Sequence, residues 1–159
     1  MKILEEQPFW LEPIVPYGKE RIKVKYKENA PKLVQHEKGG CIDLYNYNEI
    51  SLKVGEFGFI DFGVAIELPQ NYDAIVLPRS STFKKYGLLL ANSVGYIDNS
   101  YCGDDDYWLG CVYATRDITI PANTRCFQFR LIKTQPMLYI TSVDSLGNKN
   151  RDGFGSTGD

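Results

Sequence analysis

The stretch that decides the fold is Ile60-Asp61-Phe62-Gly63-Val64-Ala65-Ile66-Glu67-Leu68. Its even positions are all apolar, whereas the charged Asp61 and Glu67 stand at odd positions. Because successive side chains of a β-strand point to opposite faces, this alternation predicts a strand with one buried face. The centre of the chain is therefore expected to build a sheet, and the segments on either side must supply its neighbours.

Further strand candidates lie on both sides of this stretch. Phe127, Phe129 and Leu131 repeat the alternation against Gln128 and Arg130. Turn signals at 54–56, 68–71 and 120–123 separate the candidates. Many short strands at regular spacing predict an all-β protein, either a sandwich, a jelly roll or a barrel. The other candidates are rich in β-branched or aromatic residues: Arg21–Tyr26, Cys41–Tyr45, Tyr72–Leu77, Tyr107–Ala114 and Met137–Thr141.

One short helix and a terminal arm complete the predicted organisation. The helix runs from Ser80 to Tyr86, and Gly87 ends it as a C-terminal cap. Residues 147–159 contain four glycines, which break any strand and predict a mobile arm. The length of 159 residues fits one domain. We therefore assign residues 1–146 to a single β domain, in which residues 1–21 form an N-terminal extension of unknown role.

Composition excludes several classes of protein. A hydrophobic share of 43% supplies a packed core, and the net charge of −2 argues against broad binding to nucleic acid. The chain has no apolar run of the roughly 18 residues that span a bilayer, and its first residues do not form a secretion signal. Four cysteines without CxxC spacing are typical of reduced thiols. These features together predict a cytoplasmic protein.

The chain has a single histidine, His36, in a predicted loop. A zinc site would have to combine it with scattered thiols, and a Ser-His-Asp triad would depend on it alone. Hydrolytic chemistry in this chain is therefore expected to use a carboxylate and a hard metal ion.

Two segments could carry that chemistry. In Pro78-Arg79-Ser80-Ser81-Thr82, hydroxyls and backbone N–H groups stand beside an arginine at a helix start, which suits an anion. The alternative is a plain helix cap on Ser80 or Ser81. In Asn92–Gly103, Asp98 follows Ile97, and a partly desolvated carboxylate there is a candidate general base. The alternative is an ordinary Asp-Asn-Ser turn.

Two polar segments remain. The run Asp104–Asp106 offers magnesium ligands, although a solvated loop tip is the favoured interpretation. The tail Arg151–Gly158 combines glycine N–H groups, hydroxyls and an arginine that suit a polyphosphate, and Phe154 offers a face for stacking on a base. A common disordered terminus is the alternative for that tail.

Taken in order, these segments resemble the trimeric dUTPase family, and its phage-type members in particular, from about Ile22 onward. The resemblance implies a jelly-roll-like β-clip fold with one short helix and a flexible C-terminal arm. It also implies a homotrimer with shared active sites that hydrolyses dUTP to dUMP and pyrophosphate with Mg²⁺. The motifs that carry it are Pro78-Arg79-Ser80-Ser81, Gly95–Gly103 with Asn92 ahead of it, Arg125-Cys126-Phe127-Gln128, and Phe154–Gly158 after Arg151.

The resemblance also implies roles for individual residues near the base and sugar. Asp98 would hold and activate the attacking water, and Tyr101 would pack under the deoxyribose. Asn92 and the backbone of Gly95, Tyr96 and Ile97 would pair with uracil.

Around the phosphates the resemblance implies a second set of roles. Ser80, with Ser81 beside it, would contact the oxygen bridging the α- and β-phosphates. Arg79 would support the phosphates, Gln128 would bond to their chain, and Arg125 would be structural unless a bulge intervenes. Asp43 would orient magnesium through water. In the arm, Arg151, Ser156 and Thr157 would clamp the γ-phosphate, while Phe154 and Gly155 would close over the substrate.

Two other functions stay open at this point. A dCTP deaminase shares the implied fold, but it requires an acid at the base and a pocket for cytosine. Alternatively, a phage regulator would act through protein contacts, for which Tyr107-Trp108 and the acidic Asp104–Asp106 loop form a candidate surface.

Overall fold

The computed structural model describes residues 14–150. Within that range the chain forms ten strands and one helix, so the all-β prediction is confirmed. The elements are β1 Lys23–Tyr26, β2 Ile42–Tyr45, β3 Ile50–Leu52, β4 Phe57–Glu67, β5 Tyr72–Pro78, α1 Thr82–Tyr86, β6 Leu88–Leu90, β7 Gly95–Ile97, β8 Tyr107–Ala114, β9 Ile118–Ile120 and β10 Arg125–Lys133.

Two four-stranded antiparallel sheets form the body of the domain. The first has the order β1-β4-β8-β6 and the second the order β2-β10-β5-β7, while β3 and β9 form a separate pair. Aromatic contacts join the two sheets: Trp108 of β8 meets Phe129 of β10 edge-on at 5.2 Å between ring centroids, and Phe62 lies 5.8 Å from Phe127. The core therefore fills the space between the sheets, as expected when each sheet buries one face.

The alternation in β4 predicts its burial correctly. Ile60, Phe62, Val64 and Ile66 are all at most 2% exposed. A bulge interrupts the pairing of β4 with β8, and there Gly63 adopts a φ of +66°. A Cβ at this glycine would lie 3.0 Å from the Tyr47 ring, so both conformation and space require glycine.

The helix prediction is confirmed, but the helix begins at Thr82 and not at Ser80. Helix α1 covers Thr82–Tyr86, and Gly87 ends it with a φ of 62° and an N–H bond to the carbonyl of Phe83. No helix among residues 14–150 has both the length and the apolar character to cross a membrane.

One strand prediction is wrong. Residues 137–141 form no strand, and Met137, Tyr139 and Ile140 are 87–99% exposed. Apolar and β-branched composition favours a strand, but a strand also requires a partner for its backbone groups, and the described chain does not pair an edge with this segment.

The proposed protein-binding surface around Tyr107-Trp108 is also wrong in part. Trp108 is 0% exposed and belongs to the core, because the alternation of β8 turns it inward. The loop residues beside it behave as the favoured interpretation predicts, since the side chains of Asp104 and Asp105 are 91% and 97% exposed.

Candidate active site

Strand β5 positions both candidate segments. In its antiparallel pairing with β7, Val76 lies opposite Gly95 and Ala74 opposite Ile97. Asp98, which directly follows β7, therefore lies near the first residues of β5. The Arg79-Ser80 pair follows the opposite end of the same strand.

Asp98 heads a tight turn that its own carboxylate stabilises. One carboxylate oxygen, Oδ1, accepts hydrogen bonds from the Ser100 N–H at 2.8 Å and the Ser100 hydroxyl at 2.6 Å. The Tyr101 N–H also donates to the Asp98 carbonyl at 3.0 Å. The Ser100 hydroxyl, followed by its backbone N–H, lowers the pKa of Asp98. The carboxylate is thus ionised at neutral pH.

The sequence predicts that Asp98 is partly desolvated, and in the single chain this prediction is wrong. Its side chain is exposed, since the following turn directs it away from the core. The alternative is confirmed, because residues 98–100 form an ordinary Asp-Asn-Ser turn. That turn is compatible with a functional carboxylate, because the hydrogen bonds favour the charged form that binds water.

The rest of the segment from Asn92 to Tyr101, which we call the hairpin although β7 pairs with β5 and not with β6, presents main-chain atoms. Asn92 lies in the turn ahead of β7 and is exposed. A Cβ at Gly95 would lie 3.0 Å from the Val76 side chain, so glycine allows the two strands to approach closely. Tyr101 is 41% exposed, and its hydroxyl donates to the Tyr107 carbonyl at 3.4 Å. We call Asn92, residues 95–98 and Tyr101 the hairpin site.

A buried acid beneath this hairpin, Asp73, is a residue that the sequence does not predict to be functional. Asp73 is 1% exposed and accepts hydrogen bonds from the Tyr96 hydroxyl and from the Asn99 N–H, the latter at 3.0 Å. The hydrogen bond with Asp73 raises the pKa of Tyr96, so its hydroxyl stays a donor. The available signal was a lone carboxylate in the otherwise apolar strand Tyr72–Leu77.

A second cluster forms around Asp43. Its two carboxylate oxygens contact Nε of Arg79 at 2.8 Å and Nη1 of Arg125 at 3.3 Å. A bulge between Arg125 and Phe127 shifts the register of β10 against β2. The shift lets the Arg125 side chain lie on the same face as Asp43. Two guanidinium groups around one carboxylate leave a net positive charge, which suits a phosphate.

Gln128 and the two serines adjoin this cluster. Gln128 lies opposite Asp43 in the β2–β10 register and donates from Nε2 to the Pro78 carbonyl at 3.1 Å. Ser81 occupies the N-cap position of α1, but its hydroxyl makes no capping bond, so a capping role for this side chain is wrong. Ser80 is exposed and lines a groove with Arg79. We call Asp43, Arg79, Ser80, Arg125 and Gln128 the phosphate cluster.

The hairpin site and the phosphate cluster do not meet in one chain. Asp98 adjoins Asp73, whereas Gln128 and Ser80 adjoin Pro78. Five residue steps of about 3.3 Å separate Asp73 from Pro78, which places the two groups about 17 Å apart along β5. A single described chain therefore presents two half-sites.

The residues present do not fit a magnesium ion held by protein ligands alone. Among residues 14–150 no group of three or more His, Cys, Asp or Glu side chains converges on one point. Both oxygens of Asp43 contact guanidinium groups, so this carboxylate first serves to hold the arginines. Its water-mediated contact with magnesium stays a prediction. Arg151, Phe154, Gly155, Ser156 and Thr157 lie outside the described residues.

Known proteins resemble this chain in both sequence and fold. The family model for dUTPase matches residues 29–158. An SPbeta prophage-derived deoxyuridine 5'-triphosphate nucleotidohydrolase of Bacillus subtilis is 45% identical over 139 residues, which cover 87% of this chain and 98% of that protein. The corresponding enzyme of Rickettsia prowazekii is 35% identical over 143 residues, covering 86% and 96%.

The solved structures support the same fold. The dUTPase of Staphylococcus bacteriophage 80alpha, as a G164S mutant with dUpNHpp, superposes with a TM-score of 0.71 at 18% identity, covering 88% of this chain and 99% of that chain. The dUTPase of Streptococcus mutans gives a TM-score of 0.66 at 18% identity, with 74% and 98% covered. With the motifs in order and the prophage relative matched over almost its whole length, the chain belongs to the dUTPase family.

Proposed function

We propose that this chain hydrolyses dUTP to dUMP and pyrophosphate, with Asp98 orienting the water that attacks the α-phosphorus. The observation that carries the proposal is the exposed, ionised carboxylate that directly follows β7, within the residues that the dUTPase family model matches. Phosphoryl hydrolysis depends mainly on positioning and on electrostatic stabilisation. This chemistry suits a chain whose single histidine stands outside both half-sites.

The hairpin site would recognise the base through its backbone. Among the described strands, β7 is an edge strand that pairs only with β5, so its other edge has free N–H and C=O groups. Uracil carries one donor between two acceptors, which an edge backbone and the Asn92 amide complement. The same close-fitting backbone would exclude the 5-methyl group of thymine, and Tyr101 would exclude a ribose 2′-hydroxyl.

The phosphate cluster would bind the triphosphate. Arg79 and Arg125 supply positive charge, while Gln128 and the Ser80 hydroxyl supply donors. Magnesium would arrive with the substrate, bound to phosphate oxygens, and would lower the repulsion between the triphosphate and Asp98. The arm residues Arg151, Phe154, Gly155, Ser156 and Thr157 would then close over the ligand.

A homotrimer would complete each site. Because Asp98 and the phosphate cluster are about 17 Å apart along β5, a nucleotide would bridge the hairpin of one copy and the cluster of a neighbour. An apolar patch on the outer face of the first sheet supports association between copies. Its residues are 43–60% exposed: Phe57, Phe59, Leu89, Leu109 and Tyr113.

A substrate panel tests the proposal. Pyrophosphate release is measured with dUTP, dTTP, dCTP and UTP in the presence of magnesium, and turnover is expected for dUTP alone. Faster conversion of dCTP, with ammonia released, would instead support the deaminase alternative. Asp98→Asn is expected to abolish dUTP turnover while nucleotide binding stays largely intact, and a near-normal rate in this variant would refute the role of Asp98.

A further inference from the structure

Asp73 is buried on a face of β5 that otherwise looks away from the core. Ala74 and Val76 point inward and are at most 1% exposed, whereas Ile75 and Leu77, which share a face with Asp73, are only partly buried. Asp73 is nevertheless 1% exposed. Both groups that bond to this carboxylate belong to the hairpin, so the hairpin contacts it directly.

The two donors to Asp73 stand on either side of Asp98. The Tyr96 hydroxyl comes from the strand before Asp98, and the Asn99 N–H comes from the turn after it. Each donor uses a different carboxylate oxygen. One side chain of β5 therefore fixes both segments that flank Asp98, and the bonds between Asp98 and Ser100 fix the turn itself.

We infer that Asp73 is a positioning residue, which aims the Asp98 carboxylate by tying both flanks of the hairpin to β5. The inference rests on the proposed function, in which Asp98 orients the attacking water. Hydrogen bonds to a buried carboxylate are stronger than neutral ones, and leaving such a group unpaired is costly, so the hairpin is held firmly in one place. In-line attack depends on that placement, since small displacements of a catalytic group cost large factors in rate.

Tyr96→Phe is the most informative variant. It removes one of the two bonds to Asp73 and keeps the ring and the backbone, and the side chain is already 54% exposed, so folding is expected to be unaffected. We expect kcat for dUTP to fall about tenfold, as loss of one hydrogen bond to a charged group implies. Asp73→Ala is expected to lower kcat further, and Asp73→Asn, which keeps an acceptor of the same size, is expected to recover part of the loss.

The pH dependence separates positioning from a merely structural role. A loosened turn weakens the bonds from Ser100 to Asp98, so the pKa of Asp98 moves up toward its ordinary value. Activity, which requires the ionised carboxylate, is then lost at a higher pH than in the wild type. Tyr72→Phe is the matched control: it removes a neighbouring hydroxyl of β5 but keeps the ring that lies 3.8 Å from the Lys133 ammonium.

The outcomes distinguish this inference from the proposed function. The role of Asp73 is supported if Tyr96→Phe and Asp73→Ala have a reduced kcat and lose activity at a higher pH than the wild type, while Tyr72→Phe is unchanged. We call this loss of activity at low pH the acidic limb of the pH–rate profile. A folded Tyr96→Phe with wild-type kcat and acidic limb overturns the role of Asp73, as does an Asp73→Ala variant that loses kcat only in proportion to its folded fraction. If Asp98→Asn in the same series keeps its rate, the proposed function itself fails.

Discussion

Asp43 and Arg79 form a close ion pair, with Nε of the arginine 2.8 Å from Oδ1 of the carboxylate. The other oxygen of Asp43 lies 3.3 Å from Nη1 of Arg125. One acid thus sets the position of two cations, one that directly follows β5 and one at the start of β10. This relationship gives Asp43 a physical role that does not require a metal ion.

Asp43→Asn is expected to lower kcat about tenfold, because the two guanidinium groups lose the charge-assisted bonds that orient them. Steady-state kinetics with dUTP measure this. Inhibition by pyrophosphate is expected to stay at least as strong, since removing a negative charge favours any anion. The half-saturating magnesium concentration is expected to stay constant. If that concentration rises and excess magnesium restores kcat, Asp43 acts on the metal instead.

Ser100→Ala is expected to shift the acidic limb of the pH–rate profile to higher pH. Ser100 lowers the pKa of Asp98 below its ordinary value of 3.8, mainly through the hydroxyl that this variant removes. A carboxylate with a higher pKa is protonated earlier as the pH falls, so activity is lost sooner. Profiles of kcat/KM from about pH 2.5 to 8 measure the shift, and unchanged profiles would mean that another group controls this loss of activity at low pH.

Removing magnesium is expected to stop turnover without weakening the fold. No cluster of metal ligands exists among residues 14–150, and in our proposal the ion binds to the triphosphate. Chelation by EDTA should therefore leave the unfolding temperature of the ligand-free protein unchanged. A clear drop in that temperature would reveal a structural metal site and contradict the proposal.

Deleting residues 151–159 is expected to reduce turnover strongly and to leave the unfolding temperature nearly unchanged. All ten strands and the buried core lie before residue 134, so the deletion removes none of them. The proposed loss is that of groups that would clamp the γ-phosphate and exclude water. Full activity of the truncated chain would refute this role of the arm.

Patterns along the chain predict the long elements well. The alternation in β4 identifies its buried face, and Gly87 identifies the end of α1. Strands β3, β6, β7 and β9 have three residues each, which is too short for a period to be visible. Composition wrongly predicts a strand at Met137–Thr141, because sequence does not show whether a sheet edge is available.

The candidate site divides in the same way. Local motifs identify Asp98, Arg79, Ser80 and Gln128 as functional candidates. Contacts between distant strands are invisible to such motifs, and the ion pair between Asp43 and Arg125 depends on a bulge in β10 that no local pattern predicts. Asp73 escapes for the same reason, since its partners are 23 and 26 residues away along the chain.

Complementation between two variants, each expected to lose most of its activity, tests the shared site most directly. Asp98→Asn breaks only the hairpin site, and Arg79→Ala breaks only the phosphate cluster. The two chains are co-expressed with different tags, and mixed assemblies are purified and assayed for dUTP hydrolysis. In every mixed trimer, one of the three sites pairs an intact hairpin site with an intact phosphate cluster, so purified mixed trimers are expected to retain about a third of wild-type activity. If both half-sites of one chain served the same nucleotide, every site would carry a defect, and the absence of any recovery would contradict the account.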